Sequence, residues 1–170
     1  MSDVREELVR LLPQLRRFAY GLAGNRDDAD DLVQAACERA LEHIDQWEPG
    51  TRLDSWMYKI VQNLWFDRLR SRKLRGDAVD TETLEPQADE NAHRAPELRS
   101  DLSRVSDALQ RLRPEHRELL LLVCVEELSY KEAAALLGIP MGTVMSRLAR
   151  ARLQLQEHLR PAPAHQEGQP

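Results

Sequence analysis

The sequence predicts an all-α protein made of two small helical domains joined by a flexible acidic linker, the C-terminal domain being a helix-turn-helix. The 170 residues include only seven glycines and are rich in Leu, Ala, Arg and Glu, which favours helices over sheets. Apolar residues recur at helical spacing in both halves of the chain. Between the halves lies an acidic stretch with two prolines and no apolar period, which is typical of a linker.

The N-terminal domain, residues 1–76, is predicted to begin with a helix over residues 3–23. Leucines and alanines at helical spacing support this helix, and the Gly24-Asn25 pair ends it. Pro13 lies inside the pattern, and it removes one backbone donor and crowds the preceding turn. We therefore expect a kink or a break at this residue.

Two more helices follow in this domain. The second spans about residues 28–45, and a Trp-Glu-Pro-Gly turn closes it. The third spans about residues 53–75, with Thr51 or Asp54 as its expected N-cap.

Residues 77–97 form the predicted linker; a surface loop within one domain is the alternative, but loops of this length are unusual in compact folds. The net charge of −5 arises here, because residues 77–100 hold two basic and seven acidic side chains. Residues 1–76 and 101–170 are each balanced. The overall charge therefore does not argue against binding to nucleic acid.

The C-terminal domain, residues 98–160, is predicted to contain four helices, with residues 161–170 as a disordered tail. Pro114 suits the first position of a helix, where its missing N–H is not needed. Ser129 and Glu132 have the spacing of a capping box. Gly138 then suits a left-handed C-terminal cap, and a proline starts the last helix after a short turn.

The last helix has the pattern of a DNA-reading helix. Its apolar residues share one stripe, consisting of Val144, Leu148, Ala151 and Leu155. From Met141 to Gln156 it has no acidic residue, whereas a solvated helix of an ordinary hairpin usually mixes both charges. Arg150 lies centrally on the outer face, where it can contact guanine, and small neighbours allow a close approach to a groove. The candidate DNA contacts are Thr143, Met145, Ser146, Arg147, Ala149, Arg150 and Arg152.

Several classes of site find no support in the sequence. Cys37 and Cys124 lie in apolar stretches and are expected to be buried thiols, and the five histidines have no ligand spacing. No metal, cofactor or catalytic group is therefore predicted, and we do not expect an enzyme. The chain shows neither a signal peptide nor an apolar run of about 18 residues. We expect a cytoplasmic protein.

Three segments resemble the extracytoplasmic-function sigma factors, the compact transcription initiation factors of the bacterial sigma-70 family. LSYKEAAALLGIPMGTVMSRLARAR is similar to the domain of that family that reads the −35 promoter element. DADDLVQAACERAL and SWMYKIVQNLWFDRLRSRK resemble its polymerase-binding and promoter-melting segments. Met145 and Ala149 depart from the side chains common in the family, so no relative's promoter preference is carried over.

The third helix carries a pattern suited to single-stranded DNA at the −10 element. Basic side chains follow phosphates, aromatic rings stack on bases and an amide reads a base edge. The candidate residues are Trp56, Lys59, Asn63, Phe66, Arg70 and Lys73. Packing in the core is the alternative for the aromatic residues, and it is the favoured interpretation for Trp65.

The second helix presents polar residues opposite its apolar side. They are Asp31, Gln34, Glu38 and Glu42. From the residues alone a solvated face is the favoured interpretation, whereas the resemblance implies docking on core RNA polymerase, where charge complementarity orients the encounter.

The resemblance also implies a set of partners. These are core RNA polymerase, through the clamp of its β′ subunit and the flap of its β subunit, promoter DNA and an anti-sigma factor, with the free chain a monomer. The alternative from another class is a conventional helix-turn-helix repressor or activator, which would form stable dimers through an N-terminal helical domain. A helical adaptor without DNA contact would leave the acid-free last helix unexplained.

Overall fold

The computed structural model describes residues 3–76 and 96–161, which form seven α-helices and no strand, as the predicted fold class requires. In chain order these are α1 (Val4–Ala23), α2 (Arg26–Glu42), α3 (Leu53–Leu74), α4 (Pro96–Gln110), α5 (Pro114–Leu120), α6 (Tyr130–Leu137) and α7 (Met141–Leu159). A 3₁₀ turn (Ile44–Gln46) follows α2, and a π-helical segment (Leu121–Val125) extends α5. Within the described ranges, every helix is too short or too polar to cross a membrane.

The predicted linker and tail fall largely outside these ranges. Residues 77–95 and 162–170 are not among those described. Helix α4 begins at Pro96, so the helical part of the C-terminal domain starts two residues earlier than the expected boundary at residue 98.

Helix α1 runs without interruption for 20 residues, so the break expected at Pro13 is absent. Proline removes one hydrogen bond, but Leu8 and Leu15 on either side are buried in the core. Packing of an apolar face contributes most of a helix's stability in a folded protein, and here it outweighs that loss. Gly24 ends the helix as expected, with a φ of 78° and its N–H donated to Tyr20 O.

The prediction that Thr51 or Asp54 is the N-cap of α3 is wrong. Arg52 occupies the cap position and its side chain does not cap the helix, whereas Ser55 N donates to Asp54 Oδ1 at 2.7 Å. Asp54 lies one residue inside the helix, where its carboxylate accepts from Arg52 Nε at 3.0 Å and from Arg52 Nη2 at 2.7 Å. Thr51 donates instead to Glu48 O at 2.6 Å, which closes the preceding turn.

In the C-terminal domain three of the predicted helix ends are confirmed, whereas the proline predicted to start the last helix, Pro140, is its N-cap and α7 begins at Met141. Pro114 starts α5, and Ser129 and Glu132 form the capping box of α6, with Ser129 Oγ accepting from Glu132 N at 3.1 Å. Gly138 ends α6 with a φ of 64°.

The helix that Pro114 starts continues beyond α5 with a different winding. Residues Leu121–Val125 are wound as a π-helix, in which Glu126 N donates to Leu121 O at 2.9 Å. The wider turn shifts the register of the side chains relative to an α-helix. Cys124 is exposed, so its predicted burial is wrong, while Cys37 is half-buried.

The two domains are in contact through a shared apolar core. Leu121, Leu122, Leu128 and Leu136 of the C-terminal domain lie in the same buried cluster as the core residues of α1, α2 and α3. A second, smaller cluster holds α5, α6 and α7 together around Leu119, Val144 and Leu148. The C-terminal domain therefore has a core of its own and in addition completes that of the N-terminal domain.

A buried arginine connects the same two domains. Arg117 donates to Leu109 O at 2.9 Å, Gln110 O at 3.0 Å and Leu112 O at 3.1 Å, where α4 ends. It also donates to Leu22 O, in the last turn of α1, at 2.6 Å. Carbonyl groups at helix C-termini carry partial negative charge, so they stabilise a guanidinium that has no carboxylate partner among the described residues. Burial lowers the pKa of Arg117 to about 10, which leaves it charged at neutral pH.

Glu118 is a buried acid at this junction. Burial raises its pKa to about 8, and the nearby negative charge of Glu115 acts in the same direction. Arg147 and Lys59 attract the carboxylate and Gln62 hydrogen-bonds to it, but these three effects are smaller than the cost of burial. Its Oε1 atom has no partner within the described residues.

Replacing Glu118 by Gln should change how stability depends on pH. The folded chain keeps the Glu118 proton up to about pH 8, whereas the unfolded chain loses it near 4.5, so rising pH lowers the free energy of unfolding between these values. Glu118→Gln removes this loss, and its stability relative to the native chain should rise by a few kcal/mol, on the order of 1.4 per pKa unit, from pH 5 to pH 9. Urea unfolding at both ends of the range measures the difference. Glu157→Gln, at an exposed acid, is the control, and an equal pH dependence in all three proteins would contradict the assignment.

Candidate DNA and polymerase interfaces

Helix α7 turns one stripe inward and leaves the rest of its surface free. Val144, Leu148 and Ala151 are buried and Leu155 is half-buried, as predicted. The helix packs through this stripe on α4, α5 and α6, and the Gly138-containing turn sets its angle to α6. The opposite face therefore faces solvent.

The outward face of α7 holds most of the predicted DNA contacts. Those that are exposed are Met145, Ser146, Ala149, Arg150 and Arg152, while Thr143 and Arg147 are half-buried. Arg150 makes no side-chain hydrogen bond or ion pair with any residue in the described ranges. Its guanidinium is therefore available for a ligand, and the small Ser146 and Ala149 beside it allow close approach to a surface.

The two flanking arginines lie closer to the protein than the sequence suggests. Arg152 Nη2 lies 4.0 Å from Cys124 Sγ, and hydrogen bonds to Tyr130 and Cys124 raise its pKa. Arg147 lies near enough to the buried Glu118 to lower that acid's pKa. Both remain on the edges of the outward face, where phosphates along a groove would pass.

The predicted strand-binding face of α3 is divided between exposed and half-buried residues. Lys59, Asn63, Arg70 and Lys73 are exposed, whereas Trp56 and Phe66 are half-buried and pack against the N-terminal core. Trp65 is 3% exposed, which confirms its predicted place in the core. The face thus offers polar groups and two partly exposed rings rather than free-standing aromatic side chains.

The positively charged residues of α3 have different partners along the helix. Lys59 Nζ donates to Leu136 O of α6 at 2.6 Å. Arg70 is paired with Asp67 of its own helix. Arg72 lies over the Trp65 ring at 5.9 Å and pairs with Asp28. The N-terminal half of α3 is therefore in contact with the C-terminal domain, while its C-terminal half bonds only within its own domain among the described residues.

The polar face of α2 is free, as the sequence predicts. Asp31, Gln34, Glu38 and Glu42 are exposed, and Gln34 Nε2 donates to Glu38 Oε1 at 3.2 Å. The buried residues of the helix, Leu32, Val33, Ala36 and Ala40, lie on its other side. The arrangement provides a negative surface on a rigid helix.

Sequence reasoning missed the polar groups that join the domains. Glu126 is buried and accepts from Arg17 Nε at 3.0 Å, Arg17 Nη2 at 2.7 Å and Tyr58 Oη at 2.7 Å. Arg52 Nη1 donates to Glu132, the capping-box acid of α6. These partners are 68 to 109 residues apart, so no local spacing signals them.

Comparison with known proteins matches both halves of the chain to one group. The family model for sigma-70 region 2 matches residues 8–75, and that for sigma-70 region 4 matches residues 102–155. The ECF RNA polymerase sigma factor EcfG of Rhodopseudomonas palustris is 37% identical over 157 residues, which are 91% of this chain and 83% of that protein.

Two solved structures have the same fold. The sigma factor RpoE of Bartonella quintana, in complex with the anti-sigma factor NepR, superposes with a TM-score of 0.80 at 34% identity, covering 94% of this chain and 98% of that one. CnrH, in complex with the cytosolic domain of CnrY, gives a TM-score of 0.68 at 25% identity, covering 93% and 90%.

Proposed function

Because the chain belongs to the extracytoplasmic-function sigma factors of the sigma-70 family, and thus directs transcription initiation, we propose how its surfaces divide that work. The N-terminal domain, residues 1–76, binds core polymerase and opens the −10 element. The C-terminal domain, residues 98–160, reads the −35 element. Residues 77–97 connect the two as a linker.

The observation that carries the proposal is the outward face of α7. It combines a free Arg150, small neighbours and a length of helix without acidic residues. A face of this kind fits the major groove, where an arginine binds the O6 and N7 atoms of guanine. Arg147 and Arg152, at the edges, are placed for phosphates, which position the helix without specifying sequence.

On α3 the exposed basic residues and Asn63 form the surface for the melted strand. Lys59, Arg70 and Lys73 follow the phosphates, and Asn63 binds a base edge. Trp56 and Phe66 lie partly exposed beside them, and an unstacked base packs against their rings. Unstacking costs a few kcal/mol, and a fitted pocket on the protein offsets it.

The negative face of α2 is the surface for the clamp of the polymerase β′ subunit. Its acids are exposed on a helix that three-helix packing holds rigid. Charge complementarity at such a surface mainly speeds and orients association. The C-terminal domain contacts the flap of the β subunit. Polymerase supplies the catalytic chemistry, and the free chain acts as a cytoplasmic monomer.

An anti-sigma factor is a further proposed partner. RpoE was solved with the anti-sigma factor NepR, and CnrH with the cytosolic domain of CnrY. Each superposition covers more than nine-tenths of this chain. An anti-sigma factor that binds here would compete with polymerase for the two domains.

Arg150→Ala should weaken binding to the upstream promoter element by about 1–3 kcal/mol and relax sequence preference there, because a bidentate base contact is lost. Footprinting of the polymerase complex on a promoter library measures both effects. Arg160→Ala, at an exposed arginine just beyond α7, is the matched control. An unchanged promoter profile in Arg150→Ala would count against the role of this residue.

Asn63→Ala combined with Trp56→Ala should spare the closed promoter complex and impair opening, since in the proposed function both side chains contact the melted strand and neither contacts duplex DNA. Permanganate reactivity of thymines follows opening, and gel shifts follow the closed complex. Circular dichroism checks that loss of the half-buried Trp56 leaves the fold intact. Normal promoter opening in the folded double variant would contradict the proposed role of α3 in binding the melted strand.

Asp31→Lys combined with Glu38→Lys should weaken association with core polymerase by roughly tenfold at low salt and less at high salt, because screening reduces surface charge effects. Fluorescence anisotropy with labelled protein measures the association constant. Glu6→Lys with Glu48→Lys makes the same charge change at exposed acids outside α2. Equal effects of the two pairs would show that total charge, rather than the α2 face, governs binding.

A further inference from the structure

Helix α7 carries a second apolar stripe besides the one that it buries. Met141, Met145 and Ala149 recur every four residues, so they lie one above the other along one edge of the outward face. All three are exposed, Met141 at 50% and Met145 at 52%. A surface helix usually places charged or polar residues at exposed positions. This apolar edge is therefore available for contact with another molecule.

The surface between the apolar edge and Arg150 consists of small residues. Around Gly142, the space into which a side chain would project holds no atom of the described residues within 4 Å. Ser146 Oγ donates to Thr143 O at 3.2 Å, so its proton is used within the helix. The first turns of α7 can therefore approach a groove floor closely, and these are the turns of a recognition helix that contact base edges.

Methionine on a base edge favours one chemical group. In the major groove, base pairs present hydrogen-bond donors, acceptors and a single kind of apolar group, the C5-methyl of thymine. The methionine thioether is only a weak acceptor, so it cannot replace the water that binds a donor or acceptor. Covering such a polar group without a new hydrogen bond is unfavourable, whereas covering a methyl group is favourable. An apolar edge in this position therefore selects thymine.

The spacing along α7 relates this contact to the guanine that Arg150 is proposed to bind. Met145 lies five residues before Arg150, and Met141 lies nine residues before it. At 1.5 Å per residue these separations are about 7.5 Å and about 13.5 Å along the helix axis. Stacked base pairs are about 3.4 Å apart, so the methionines reach bases roughly two to four base pairs from that guanine.

We propose that Met141 and Met145 recognise thymine methyl groups in the −35 element, so that the chain selects A·T pairs roughly two to four base pairs from a guanine. This base assignment rests on the proposed function of α7. The alternative use of the stripe is contact with a protein partner. DNA is favoured because the stripe shares its face with Arg150 and lies on a stretch of helix without acidic residues, which repels no phosphate.

Uracil lacks only the C5-methyl group of thymine, so exchanging the two bases isolates the proposed contact. A random duplex pool is amplified with either thymidine or deoxyuridine triphosphate and bound to core polymerase carrying the full chain. From the thymidine pool, the native chain should enrich A·T pairs near an enriched guanine in the upstream element. From the deoxyuridine pool, it should enrich the same guanine with a weaker preference for A·T pairs.

Single duplexes of the selected sequence then measure the size of the effect. Burial of one methyl group changes affinity about fourfold, so the native chain with polymerase should bind thymine about fourfold more tightly than uracil at a contacted position. Met141→Ala combined with Met145→Ala should abolish this difference, and alanine preserves the helix. Leu153→Ala is the matched control, because it truncates a 62% exposed apolar residue two turns farther along α7, and it should keep the difference.

An equal thymine-to-uracil ratio in the native chain and the double methionine variant would overturn the base assignment. If the double variant also binds core polymerase more weakly in fluorescence anisotropy, the stripe is a protein contact instead. Enrichment of a guanine that Arg150→Ala abolishes, without any effect of uracil, removes only the methionine contact. Pools that enrich no upstream sequence at all would contradict the proposed function of α7 itself.

Discussion

The guanidinium of Arg117 is the group on which the arrangement of the two domains depends. It lies in α5 and donates to backbone carbonyls at the C-terminal ends of α1 and α4. One positive charge therefore binds the ends of two helices from different domains. Leaving those carbonyls buried and without a donor would be costly. The position of α5 in turn places the π-helical segment and α6 on the N-terminal core, and through them the polar contacts of Glu126 and Lys59 follow.

Lys59 takes part both in the contact between the two domains and in the proposed DNA-binding surface of α3. In the N-terminal half of α3, Lys59 satisfies a carbonyl of α6, whereas farther along the helix Lys73 is exposed to solvent. The outward face of α7 lies on the side opposite its packing stripe, so this packing leaves it open. Among the described residues, Lys59 on α3 is therefore held by a backbone carbonyl of α6, whereas Arg150 on α7 has no side-chain partner.

Much of the fold could be predicted because its signals are local. Gly24, Pro114, Gly138 and the Ser129 capping box mark helix ends through backbone geometry that depends only on near neighbours. The stripe of α7 and the acids of α2 follow from helical periodicity alone. The contact between the domains could not be predicted, because its pairs are far apart in sequence and each member has an ordinary local role. Asp54 is a further example. The sequence predicts it as a possible N-cap of α3, but in the structure it forms a bidentate bond with Arg52.

We expect this chain to determine the positions at which core RNA polymerase begins transcription. Mapping the 5′ ends of transcripts made by purified core polymerase on fragmented genomic DNA, with and without the chain, tests it most directly. A discrete new set of start sites should appear only when the chain is present, with shared sequence elements at −35 and −10. Start sites that do not change on adding the chain would contradict it.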